Sequence, residues 1–173
     1  EFLEVAPERA RQLWVQAGRE ERLDALIQRA QALGVRVRVT GRDRLDTLAG
    51  AGVNHQGVVL EGDAFPYKSL EEVLSTCEGQ AHACILALDQ VQDAGNLGAI
   101  LRSAAAFGVT AVMIPKDRAA QVTGAVIRAS AGQAWRVPVV QVTNLARALE
   151  ELQGAGFWAV ATKVTPGEEV APL

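Results

Sequence analysis

Cysteine is scarce: Cys77 and Cys84 are the only two in 173 residues, six residues separate them, and they form no CxxC pair. That argues against a metal or redox role and leaves two inert thiols. Histidine is equally scarce, and His55 and His82 are too scattered for a metal site, so no metal is expected. No apolar run approaches the roughly 18 residues needed to span a bilayer. The opening Glu1-Phe2-Leu3-Glu4 lacks the basic-then-apolar order of a signal peptide, so a cytoplasmic protein with no membrane partner is expected. Repeats and low-complexity tracts are missing too. Lysine is absent from residues 1–62, where all nine basic residues are Arg.

What remains is ordinary globular material, 49% apolar and 21% charged, long enough for one domain or two small ones. The net charge of −3 argues against nucleic acid, but its distribution matters more. Residues 1–62 balance nine Arg against nine acidic groups, whereas the rest carries eight basic and eleven acidic ones. Arginine suits phosphate forks and base stacking, and Arg36, Arg38, Arg42 and Arg44 could share a face. A salt-bridged surface accounts for the same residues equally well.

Strand and helix patterns alternate throughout. In the first part the reading is a strand near Leu13 to Gln16, a helix from Glu20 to Leu33, a strand Val35 to Val39, a short helix Asp43 to Ala49 and a strand Gly57 to Glu61. Asp63-Ala64-Phe65-Pro66-Tyr67-Lys68 breaks the pattern as a linker before a short helix Ser69 to Cys77. Then come a strand Ala83 to Leu88, helix Asn96 to Phe107, strand Ala111 to Ile114, helix Ala120 to Ala131, strand Val137 to Val142, helix Asn144 to Gln153 and strand Trp158 to Thr162. Such short connections give a parallel sheet covered by helices on both faces. Gly34, Gly108 and Gly156 fall where a left-handed residue closes a helix. Trp14, Trp135, Trp158, Phe107 and Phe157 read as core or interface packing rather than a base-stacking set.

The most informative stretch is Asp89-Gln90-Val91-Gln92-Asp93-Ala94-Gly95-Asn96-Leu97-Gly98, leading into Ala99-Ile100-Leu101-Arg102-Ser103-Ala104. It is a strand-loop-helix turn at the carboxyl end of a strand, where open α/β sheets bind ligands. Asn96 is a natural N-cap, Gly95 and Gly98 leave room for a close backbone approach, and Arg102 lies one turn beyond Gly98. A small-residue notch beside a guanidinium suits a phosphate or carboxylate. The spacing equally describes an N-capped helix with a solvated Arg. With two glycines and no acidic residue closing Ala111 to Pro115, it is not a dinucleotide fingerprint.

Asn96, Gly98 and Arg102 are spaced as in the first motif of the SpoU/TrmH family of RNA ribose 2'-O-methyltransferases, of the SPOUT superfamily, which this segment resembles. Ala94 stands where the family usually has Pro. The resemblance continues through Ile114-Pro115-Lys116-Asp117-Arg118, Ala129-Ser130-Ala131-Gly132, Val137-Pro138 and Val142-Thr143-Asn144-Leu145. Together these resemble the bacterial branch that methylates a guanosine of 23S ribosomal RNA. Upstream, Val53-Asn54-His55-Gln56-Gly57 resembles that branch's substrate-binding domain.

The resemblance implies an α/β protein in two parts. Residues 1–62 would be a small ribosomal-protein-like α/β/α RNA-binding domain, incomplete at its amino end, 63–80 a linker with a short helix, and 81–173 a parallel-sheet SPOUT (α/β knot) domain. The family's two later motifs, a Gly-rich turn with Glu and an Ile-Pro-Met segment, would lie past Leu173. Residues 1–173 would then lack most of the S-adenosylmethionine site and the knot through which family members form homodimers. The implied activity is transfer of methyl from S-adenosylmethionine to a ribose 2'-hydroxyl of ribosomal RNA, with tRNA a less favoured substrate. Arg102 would anchor phosphate and stabilise the developing oxyanion, because guanidinium stays charged. Asn96 would orient the ribose or the Arg, and the Asp89/Asp93 pair would fix the loop. Thr162 and Lys163 are carried over as cofactor-binding, and Arg118 and Arg128 join Arg36, Arg38 and Arg42 as RNA-binding candidates. Two other classes stay open: a non-catalytic RNA-binding protein that has lost its cofactor site, and a nucleotide-binding α/β protein using the Gly95/Gly98 turn.

Overall fold

The computed structural model describes residues 2–50, 52–80 and 82–162. Two three-stranded sheets organise them, the first in the order β2-β1-β3 and the second β4-β5-β6.

A short helix α1 (Phe2–Val5) precedes the first sheet. There β1 (Ala10–Gln16) pairs parallel with β2 (Arg36–Thr40) and antiparallel with β3 (Val58–Gly62). The period-2 alternation of β1 decides which helix covers which face. Leu13 and Val15 are buried against Leu23, Leu26, Ile27 and Ala30 of α2 (Glu20–Ala32). Trp14 points the other way, toward α3 (Arg42–Ala49), where Arg44 lies over its ring and Leu45 is fully buried. The result is a three-layer α/β/α unit.

The second sheet is wholly parallel: β4 (Ile85–Ala87), β5 (Ala111–Pro115) and β6 (Val139–Val142). Ala111 to Ile114 are at most 1% exposed, as a central strand covered on both faces requires. Val112 and Ile114 pack with Leu97, Leu101 and Ala104 of α5 (Ala94–Ala106) and Val126 of α6 (Gly124–Ala129). Ala111 and Met113 face the opposite layer, with Val73 of α4 (Leu70–Cys77) and Ala148 and Leu152 of α7 (Leu145–Gly154). The predicted parallel sheet with helices on both faces is present. Gly34, Gly108 and Gly156 take positive φ of 74°, 67° and 93° after their helices. After α7 the Phe157 N–H reaches back to the Leu152 carbonyl at 3.0 Å, closing the helix end. No helix among the described residues is long and apolar enough to cross a membrane.

Four expectations need correction. The N-cap of α5 is Asp93 rather than Asn96, because the Asp93 carboxylate accepts the Asn96 N–H at 2.7 Å and so draws Asn96 into the first turn. The helix expected over 120–131 shrinks to α6. Its first residues are held as loop by the Gln121 side chain, whose amide donates to the Pro115, Lys116 and Ala119 carbonyls. The strand expected at Trp158 to Thr162 does not form: residues 157–162 join no ladder among the described residues. An apolar run supplies a strand's surface, but a strand also needs an edge to pair with. Finally, Trp158 and Phe107 are 95% and 86% exposed and belong to no core.

Candidate functional site

The carboxyl ends of β4 and β5 lead into loops 88–93 and 116–123, and backbone bonds tie these together. Ala120 N–H donates to the Val91 carbonyl at 2.8 Å, and Lys116 N–H to the Val142 carbonyl at 2.8 Å. Gln90 and Arg118, one in each loop, take left-handed φ of 56° and 57°. Non-Gly residues held there cost of order 1–3 kcal/mol each and gather where surroundings over-determine the backbone. These are the loops at the carboxyl ends of the strands, where the candidate site is expected.

Asn96 and Arg102 both lie exposed on α5, and neither side chain makes a hydrogen bond or ion pair among the described residues. Six positions separate them, which on a helix is roughly 9 Å along the axis and about 120° around it. The structure therefore places them on one element without bringing them into contact. Gly98 has a different use from the one expected: an added Cβ would sit 2.4 Å from the Ala129 Cβ and 2.9 Å from the Ala129 carbonyl carbon and Ser130 nitrogen. The close approach it permits is that of α6, not of a ligand. Ser130, the one buried polar residue among those described, accepts the Ala134 N–H at 3.2 Å and donates to the Ile127 carbonyl at 2.9 Å. Arg128, exposed on α6, thus stands at the end of the helix that Gly98 locks against α5. Arg118 is exposed in the β5 loop.

No local pattern in the sequence signals the group that shapes this loop. Tyr67, from the linker, accepts the Val122 N–H at 2.8 Å through its hydroxyl, and burial pushes that phenol above its ordinary range. Gln121 accepts from the Gln141 amide while its own amide bridges the three carbonyls already named. Lys68 N–H donates to the Val139 carbonyl at 2.9 Å, which holds the linker on β6.

Of the candidate cofactor residues, Thr162 is exposed and makes no side-chain hydrogen bond among the described residues, and Lys163 lies outside the described residues. Cavities of about 500 and 360 Å³ lie against α2 in the first unit. No cluster of metal-ligating side chains occurs among the described residues.

In the first unit, Arg36 and Arg38 are exposed on β2. Arg38 and Arg44 each place the guanidinium carbon 5.7 Å from the Trp14 ring centroid, and Arg42 stands 3.7 Å from Asp46. Trp14, half-buried, donates its indole N–H to Glu61. Expected as packing, it is a platform for two arginines.

Comparison with known proteins agrees with the geometry. Residues 83–172 match the model of the SpoU rRNA Methylase family, and residues 1–68 match the RNA 2'-O ribose methyltransferase substrate binding family. The 23S rRNA (guanosine-2'-O-)-methyltransferase RlmB of Coxiella burnetii is 43% identical over 164 residues, covering 94% of this chain and 65% of that protein. The RlmB of Acinetobacter baylyi is 38% identical over 99% of this chain and 69% of its own length. The chain thus spans about two thirds of these relatives, and slightly less of the first. Among solved structures, the AdoMet-bound rRNA methyltransferase of Sinorhizobium meliloti superposes with a TM-score of 0.64 at 22% identity, over 85% of this chain and 52% of that one. The SpoU methyltransferase AviRb of Streptomyces viridochromogenes, in complex with AdoMet, gives 0.65 at 19% identity over 88% and 55%. These likenesses establish the fold.

Proposed function

The chain belongs to the SpoU rRNA methylase family, and on that footing we propose that the whole protein transfers a methyl group from S-adenosylmethionine to a ribose 2'-hydroxyl of ribosomal RNA, at a guanosine of 23S rRNA. The observation that carries this reading is the strand-loop-helix turn at the carboxyl end of β4. Asn96 and Arg102 stand exposed on the helix that Asp93 caps there, free of partners among the described residues and so available to RNA. A ribose hydroxyl is a poor nucleophile while protonated, so the site must stabilise the oxyanion that develops. Arg102, always charged and a planar donor fork, anchors the nucleotide phosphate and faces that charge. Asn96 orients the ribose. Arg118 and Arg128, on the neighbouring loop and helix, hold the RNA backbone.

The division of labour follows the two sheets: residues 1–62 bind substrate, 63–80 link, and 81–173 carry the methyltransferase part. Thr162 and Lys163 contribute to the S-adenosylmethionine site of the whole protein. We place the protein in the cytoplasm and, when whole, as a homodimer needing no metal. Exposed Phe107 and Trp158 support burial against further protein.

The test is incorporation of labelled methyl into 23S rRNA from cells lacking the gene. The whole protein should produce one 2'-O-methylguanosine per transcript, found by nuclease mapping. Label in tRNA alone would move the substrate, and label in neither would return the chain to a non-catalytic RNA binder.

A further inference from the structure

The string Val53-Asn54-His55-Gln56-Gly57 folds into the wall of a cavity of about 360 Å³, bounded also by Gln16, Arg19, Arg22 and Arg42. That volume lies within the range of roughly 300–1,000 Å³ typical of small-ligand clefts. We propose that this cavity receives one unstacked nucleotide of the RNA substrate, its phosphate on Arg19 and Arg22 and its base edge on Asn54 and Gln56. The proposal rests on the RNA reading above and adds to it where in the first unit a nucleotide is held.

The wall is built rather than incidental. The His55 side chain is 7% exposed, and its Nδ1 accepts the Gly57 N–H at 3.0 Å. The ring proton therefore sits on Nε2, which donates to Asp46 Oδ1 at 3.1 Å and fixes the ring. Asn54 Oδ1 accepts the Gln56 N–H at 3.3 Å, and the Val58 N–H donates to the His55 carbonyl at 3.0 Å. These bonds hold Gln56 at φ 53° and Gly57 at φ 87°, two left-handed residues in succession. Side chains other than Gly rarely adopt that conformation, and the Gln56 side chain stands exposed at the cavity rim. Gly57 is required twice, since an added Cβ would also lie 2.8 Å from Cδ of Arg19, whose stem crosses it.

The chemistry of the lining selects the ligand. Arg19 and Arg22 make no ion pair among the described residues, and Arg42 has only the 3.7 Å approach to Asp46, so three guanidinium groups face one carboxylate. Planar forks suit a phosphate, and amides beside them suit a base edge. A paired helix keeps each base stacked and its Watson–Crick edge bonded to its partner, so a concave cleft of this size admits a splayed nucleotide and not a duplex. The adjoining cavity of about 500 Å³ sets Glu20 and Glu21 beside the same arginines and is charge-balanced, so of the two cavities the smaller has the excess of positive charge.

The experiment measures binding of the 173-residue chain to a transcribed 23S rRNA stem-loop and to a fully paired RNA duplex of equal length. Arg19 and Arg22 are exposed, so Arg19→Ala/Arg22→Ala leaves the fold intact. It should weaken stem-loop binding at least about tenfold and flatten the log-affinity against log-salt slope by roughly 0.7, the contribution of one phosphate. Duplex binding should change less than about twofold. Gln56→Ala should weaken stem-loop binding severalfold with the salt slope unchanged, and Arg147→Ala, on α7, should change neither. Equal losses on both RNAs, or no loss on the stem-loop, would overturn the cavity while leaving RNA binding standing. A wild-type chain that binds neither RNA would overturn both.

Discussion

Arg102 is where a single side chain decides between chemistry and solvation. It is exposed, it has no partner among the described residues, and its guanidinium cannot serve as a base near neutrality. In the whole protein Arg102→Ala should slow single-turnover methyl transfer about 10²-fold or more, since removing one preorganised donor costs roughly 3 kcal/mol of transition-state stabilisation. Arg102→Lys should recover little, because a point charge does not reproduce a fork. An unchanged single-turnover rate would make it a solvated helix residue. The motif carrying Arg102 was legible because its polar positions are close in sequence. The exchange of caps between Asn96 and Asp93 was not: both are good N-cap types three residues apart, and only the 2.7 Å bond from the Asn96 N–H to the Asp93 carboxylate separates the two registers. Gln121 was invisible for the opposite reason, since its partners Tyr67 and Gln141 are brought to it by the tertiary fold.

Among elements, the α5–α6 contact depends on one missing methyl. Gly98→Ala gains up to about 1 kcal/mol of helix propensity but drives a Cβ to within 2.9 Å of the α6 backbone, which cannot swing aside. Overpacking of this kind costs about 1–3 kcal/mol, so urea denaturation should show net destabilisation. Gly95→Ala, which meets only the Asp93 carboxylate at 3.0 Å, should be milder. A second element test concerns α4, whose capping box joins Ser69 and Glu72: Ser69→Ala should cost about 1 kcal/mol. The bonds from Lys68 and from the Ser69 N–H lower the Glu72 pKa below its ordinary 4.5. A carboxylate whose pKa falls on folding contributes stability that is complete above the unfolded value and disappears as pH falls through the folded one. The stability gap between wild type and Glu72→Gln should therefore be constant above about pH 6 and shrink on acidification. A gap that widened in acid would reverse the assignment. Elements with both a periodic pattern and a local stop signal, such as α2, α7 and β5, were legible within a residue or two. Residues 158–162 had the pattern only, and a strand's pairing partner is not encoded in its own periodicity.

At the scale of the whole molecule, net charge conceals what arrangement reveals: a chain of formal charge −3 still gathers Arg19, Arg22 and Arg42 around one cavity. What joins the two sheets is aromatic. Phe2 of α1 packs edge-on against Trp135 with ring centroids 4.8 Å apart, Phe65 of the linker lies 5.0 Å from Trp135 on its other contact, and Tyr67 follows at 5.3 Å from Phe65. Arg11 of β1 clasps Asp63 at the start of the linker, so both ends of this segment are tied down. Trp135 is the common member, and its indole N–H is buried without a partner among the described residues, so shape and ring contact rather than hydrogen bonding keep it there. Each aromatic pair contributes about 0.5–1.5 kcal/mol beyond its burial, which is enough to couple two marginal units into one cooperative transition. Near- and far-ultraviolet circular dichroism should therefore coincide during urea unfolding of the wild type. Trp135→Ala removes both pairs at once and should separate the curves into two transitions, whereas Trp135→Phe, which keeps a ring and loses only the unpaired N–H, should retain one. A Trp135→Ala chain that still unfolds in a single coincident step, merely at lower urea, would show that the Tyr67–Val122 and Lys68–Val139 bonds couple the sheets without the aromatic chain.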